Sequence, residues 1–170
     1  AEPKLQAPFD EPFFVATLVA ILIDLGEFER AEAVFQRWPP PQNGYEFLKW
    51  QAIILDELRQ QPDQAVESYD RALLVWPGIA DWRTQNRKAQ CLTRLGRLPE
   101  ADATRYAARK IEKLMEQDYH SELRQAFGNL IDVRQLRKVC DFYRELARHQ
   151  ELHAWSEVIG NLEGQSTGGK

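Results

Sequence analysis

Leu25-Gly26-Glu27-Phe28-Glu29-Arg30-Ala31-Glu32-Ala33-Val34-Phe35 decides the fold of this 170-residue chain, because its phrasing returns twice. The second copy is Arg59-Gln60-Gln61-Pro62-Asp63-Gln64-Ala65-Val66-Glu67-Ser68-Tyr69, and the third is Leu95-Gly96-Arg97-Leu98-Pro99-Glu100-Ala101-Asp102-Ala103-Thr104-Arg105. In each copy one helix ends in a turn and another opens, with an alanine early in the new helix. Ala31 and Ala65 stand 34 residues apart, Ala65 and Ala101 36. An aromatic follows the alanine by four in the first two copies, at Phe35 and Tyr69, on the same helical face. Arg105 takes that place in the third.

The landmarks have physical reasons. Gly26 and Gly96 suit the left-handed conformation that closes a helix. A small alanine lets two antiparallel helices approach closely. Pro39–Pro41 and Pro77 cannot continue a helix and so close the first two units. Unit one then spans 12–43 with helices near 12–25 and 28–38, and unit two spans 44–79 with helices near 45–60 and 63–75. Unit three spans 80–114 with helices near 81–95 and 98–117. Beyond it, 119–130 reads as a short helix, and 133–148 with 151–162 as a degenerate fourth pair. The stretch from Leu146 to Trp155 echoes the helix–turn–helix phrasing of Leu25–Ala33 there. Residues 1–11, with Pro3 and Pro8, read as an extended lead-in, 12–163 as the repeat domain and 164–170 as a disordered tail.

The period near 34 residues and the Gly, Ala, aromatic and Pro positions resemble divergent bacterial-type tetratricopeptide repeats. The resemblance implies an all-α fold: an α-solenoid of antiparallel helix pairs, three repeats plus a degenerate C-terminal pair. The family usually places a glycine within the first helix of each repeat. Val19, Ile53 and Ala89 hold those places here.

Composition agrees with the helical reading. Runs of Ala, Leu, Glu, Gln and Arg dominate, and strand-like alternation is missing. The net charge of −4 is uneven, with six basic and fourteen acidic side chains in 1–82 against sixteen and twelve in 83–170. That bias is too weak for a nucleic-acid binder. The most apolar run, the 11 residues of Phe13–Ile23, falls short of the roughly 18–20 needed to span a membrane. The chain opens Ala1-Glu2-Pro3-Lys4 without an initiator Met, as an excised domain or a mature chain would.

Catalytic motifs are missing. No glycine-rich phosphate loop, nucleophile elbow or paired-cysteine motif occurs. In His149-Gln150-Glu151-Leu152-His153 the two histidines share a helical face as zinc ligands do, but Glu151 falls on another side, unlike either metalloprotease order. The expectation is therefore no enzyme, no cofactor and no metal. A metal-dependent enzyme is the remote alternative. Cys91 and Cys140 read as buried thiols, and the sequence alone does not decide whether they pair.

The resemblance implies a groove lined by the first helix of each pair. In register, Phe13, Ala16, Ala20 and Ile23 face it from unit one, Phe47, Trp50, Gln51 and Ile54 from unit two, and Arg83, Asn86, Arg87 and Gln90 from unit three. The groove would be apolar at one end and basic at the other. Some family members grip a C-terminal carboxylate through a basic clamp, and Arg83 and Arg87 resemble half of it. Ala16, Ala20 and Gln51 stand where the clamp expects Lys and Asn. Trp38 and Trp76 are expected to pack between units, while Trp50 and Trp82 are candidates for a contact surface. The expected function is a protein–protein interaction module or assembly scaffold that binds a peptide or partner protein. The alternative is a self-association domain, a homodimer formed through Phe13–Ile23.

Overall fold

The fold is described for residues 11–167 of a computed structural model. Among the described residues it is all helical, without a strand: α1 (Pro12–Asp24), α2 (Phe28–Phe35), α3 (Tyr45–Ile53), α4 (Pro62–Leu74), α5 (Trp82–Arg94), α6 (Leu98–Leu114), α7 (Gln117–Gly128), α8 (Val133–Glu145) and α9 (His149–Thr167). A π-helical turn, Ile54–Leu58, prolongs α3, and a short 3-10 turn, Gly78–Ala80, precedes α5. The expected lead-in lies outside the described residues up to Asp10, and Glu11 is the extended N-cap of α1. Several helix ends differ from the sequence reading, α2 stopping at Phe35 and α8 at Glu145. The helix over 98–117 is divided, with α6 ending at Leu114. In turn, α9 begins at His149 and passes the expected tail boundary to reach Thr167.

Two compact units divide the chain, Ala1–Arg105 and Tyr106–Lys170. In the first, α1 packs on α2 and α3, α3 on α4, and α4 on α5. In the second, α7 packs on α8 and α8 on α9. The recurrent alanines sit where sequence reasoning put them: Ala31, Ala65 and Ala101 are each fully buried. The mid-helix positions Val19, Ile53 and Ala89 are buried as well. In the first unit one core cluster includes Val15, Val19, Trp38, Tyr45, Phe47, Leu48 and Ile54. Another gathers Ile53, Ala65, Val66, Tyr69, Cys91, Leu92 and Ala101. In the second unit Leu136, Cys140 and Ile159 form one cluster, and Leu123, Ala126 and Val139 another. Both cysteines are free and buried.

Four first helices end alike. Gly26 (φ 73°), Gln60 (φ 52°), Gly96 (φ 72°) and Ala147 (φ 52°) are left-handed at one place in the repeated phrase. At three of them the next residue's N–H reaches back five residues: Glu27 to the Leu22 carbonyl at 2.8 Å, Arg97 to Leu92 at 2.9 Å and Arg148 to Tyr143 at 2.8 Å. At the second, Gln61 reaches back six, to Leu55 at 2.8 Å, because the π turn inserts one residue. A Cβ at Gly26 or Gly96 would meet nothing within 4 Å, so substitution there carries only a conformational cost. Gly26→Ala and Gly96→Ala are each expected to lose about 1 kcal/mol in urea unfolding. Gln60→Gly and Ala147→Gly are expected to gain roughly 0.5 kcal/mol, the relief of left-handed strain less glycine's extra chain entropy.

Candidate functional site

Of the twelve residues expected to line a groove, three share one recess. Phe47 and Gln51 from α3 and Ile54 from the π turn line a recess of about 240 Å³, completed by Phe35, Gln36, Gln42, Leu55 and Arg59. Their spacing of i, i+4 and i+7 puts them on one helical face. The floor of the recess is fixed by ring packing, with Phe35 and Phe47 stacked at 5.1 Å between centroids and Trp38 edge-on to Phe47 at 5.6 Å. Phe47 and Ile54 are thus core residues first, each showing only an edge to the recess.

The rim of the recess is polar. Gln51 accepts a hydrogen bond from the Ser68 hydroxyl at 3.3 Å, and Gln42 donates to the Trp38 carbonyl at 2.9 Å. The Gln36 side-chain amide has no partner among the described residues. Arg59 is held by Glu32, to which its Nε donates at 2.9 Å. Three amides and one neutralised guanidinium therefore surround an apolar floor. That arrangement offers hydrogen bonds without a net charge. Sequence reasoning missed Gln36, Gln42 and Arg59. Their only local signal is that the two glutamines flank Pro39–Pro41.

The other expected groove residues lie elsewhere. Phe13 is 80% exposed at the start of α1, while Ala16 is buried and Ile23 packs partly against both core clusters. Trp50 is half-buried, its indole N–H enclosed without a partner, and the Lys49 ammonium lies 5.3 Å from its ring centre. On α5, Gln90 is exposed and Asn86 half-buried. Arg83 lies over the Trp82 ring at 5.0 Å. Arg87 is paired with Glu57 of the π turn. Lys88 pairs with Asp70 at 2.5 Å and Arg94 with the buried Asp56. Of the two arginines expected at the basic end, Arg87 is thus neutralised by the preceding pair, while Arg83 rests on its neighbour's ring. Trp38 is buried as expected, but Trp76 is 51% exposed.

The buried nucleophile is quiet. Burial, then the neighbouring Asp56 carboxylate, pushes the Cys91 thiol up to about 12, although Arg94 donates to its sulfur at 3.3 Å. It is a thiol at neutral pH. His149 and His153 are exposed, and His153 faces Glu157 at 3.4 Å. Among the described residues no group of three or more His, Cys, Asp or Glu is placed to hold a metal ion, and no helix is long and apolar enough to cross a membrane. No protein-family model matches this chain, and a search of the curated proteins finds no match to it.

Proposed function

We propose that the chain is a protein–protein interaction module built of tetratricopeptide-like helix pairs, and that it holds an extended peptide across the recess between α2 and α3. The observation that carries this reading is the pairing of an apolar floor (Phe47, Ile54, Leu55) with a rim of amides (Gln36, Gln42, Gln51). An extended peptide needs both. Its alternate side chains seek an apolar seat, and its backbone N–H and C=O groups need partners that can donate and accept. A carboxamide does both, whereas an open cluster of like charge would select an oppositely charged ligand instead. In this reading the work is binding, without catalysis or cofactor.

Selection from a random peptide display library against the intact chain tests it. Peptides with a shared motif should be enriched, and the Gln36→Ala/Gln51→Ala double variant should bind them roughly tenfold or more weakly, the loss of one or two hydrogen bonds. No enrichment, or equal binding by the variant, would sink the reading. A second reading, self-association, draws on α1, where Phe13, Ile21 (49% exposed) and Leu25 (67% exposed) are uncovered. A dimer by light scattering that Ile21→Glu abolishes would select it.

A further inference from the structure

One side of α1 packs on α2 and α3, and its outer side is exposed. Phe14, Ile21 and Leu25 follow one another there at i, i+7 and i+11, a straight stripe along one helical face. Thr17 lies on the same stripe, with its hydroxyl turned back onto the Phe13 carbonyl at 2.8 Å. The stripe runs into a recess of about 410 Å³ at the turn from α1 to α2, where the exposed Phe28 is the apolar wall. The charges around this stripe are of one sign. From Glu11 to Glu29 the chain carries four carboxylates, Glu11, Asp24, Glu27 and Glu29, and no basic residue. Arg30, the first basic residue to follow, is paired with Glu27. Glu11, Asp24 and Glu29 are exposed and have no ion-pair partner among the described residues. Asp24 is also set against its own helix. It closes α1, where the helix dipole favours a cation, and no basic residue stands in that last turn.

We propose that the outer face of α1 docks a basic amphipathic helix of a partner protein, its apolar side along Ile21 and Leu25 and its lysines or arginines on Asp24 and Glu29. The shape of the stripe calls for a helix. It is straight and about 16 Å long, three turns, which is what anchors at i, i+3 and i+7 of a second helix cover. Helices already pack on α1 from its other side. A helix also satisfies its own backbone, whereas an extended strand would find no backbone edge on α1 to pair with. The carboxylates then choose the sign of the partner, since charges around an apolar contact select partners more than they hold them. A nucleic acid or an anionic membrane would be repelled by the same groups. A second copy of α1 fits less well, because a parallel pair sets Asp24 on Asp24 and an antiparallel pair sets Glu11 near Asp24. The face is separate from the α2–α3 recess, whose lining contains no residue of α1.

The test is an NMR titration of the isotope-labelled intact chain with a fourteen-residue Leu/Lys peptide, acetylated and amidated, whose leucines recur at i, i+3, i+4 and i+7. Its controls are the same residues in scrambled order and a Leu/Glu peptide of the same pattern. The backbone amides of α1 and of Phe28–Arg30 should shift saturably with the Leu/Lys peptide and with neither control. Leu25→Ser should weaken binding roughly tenfold, as loss of a central anchor does. Asp24→Lys/Glu29→Lys should weaken it roughly fivefold or more at low salt, and should bring in the Leu/Glu peptide instead. All three positions are exposed, so these variants keep the fold. Gln51→Ala should leave binding unchanged, which separates this face from the α2–α3 recess. The proposal is overturned by shifts that are absent at millimolar peptide, that the scrambled peptide reproduces, or that keep their preference for Leu/Lys in the charge-reversed variant. It is equally overturned if the same signals move with protein concentration alone, which would make the occupant a second copy.

Discussion

Asp81→Ala is expected to lower the stability of the fold by about 3 kcal/mol, adding a lost helix cap to a lost buried hydrogen bond. Asp81 is the N-cap of α5, where its Oδ1 accepts the N–H groups of Arg83 and Thr84, each at 3.0 Å. Its other oxygen accepts the Thr84 hydroxyl at 3.0 Å and the hydroxyl of Tyr45, the buried first residue of α3. One carboxylate thereby ties the start of one helix pair to the start of the next. Without it the Tyr45 hydroxyl keeps only Thr84, at 3.2 Å. Burial raises the Asp81 carboxyl, but the hydrogen bonds from Tyr45 and Thr84 outweigh it and hold the group below the ordinary 3.8. A depressed carboxyl stabilises the fold above its unfolded value, and that contribution fades as pH falls through the folded one. Asp81→Asn, which can still cap, should therefore differ from wild type at neutral pH and begin to converge with it only as the pH falls below 3.8. Urea unfolding at several pH values checks both variants. Equal stability of Asp81→Ala and wild type at pH 7 would show that the link between the pairs carries nothing.

Ala65→Leu is expected to cost about 3 kcal/mol, the upper end for overpacking a filled site. Ala65 is fully buried among Ile53, Leu55, Tyr69, Leu92 and Ala101, at the place where the repeat phrase sets a small residue. A leucine there must force the helices apart or leave its rotamer. Ala33→Leu, a similar change two residues from Ala31 on an exposed face, should change stability by less than about 0.5 kcal/mol. The pair of variants separates close packing from helix propensity, which leucine barely alters. Equal effects at the two sites would contradict the packing given to the recurrent alanines.

Much of the fold was legible because its signals are local. The left-handed glycines, the buried alanines and the prolines each state a backbone or packing need within a few residues. The π turn was not legible. Ile53-Ile54-Leu55-Asp56 reads as uninterrupted helix, and what turns Asp56 inward is Arg94, 38 residues on. The same distance problem misled the charge reading. Arg87 is basic on paper and neutralised in the fold by Glu57, 30 residues earlier. The site was legible in part. Helical spacing sets Phe47, Gln51 and Ile54 on one face, but it carries no sign that α2 and Trp38 press there and leave a recess. The amides that complete the rim come from the end of α2 and from a loop, where no periodicity operates.

Hydrogen exchange of the intact chain with and without a selected peptide tests the central claim most directly. Slowed exchange at Phe35–Gln36 and across Gln42–Arg59, with α1 and the second unit unchanged, is the result this account predicts. Protection confined to α1 or to the second unit, or none anywhere with saturating peptide, would contradict it.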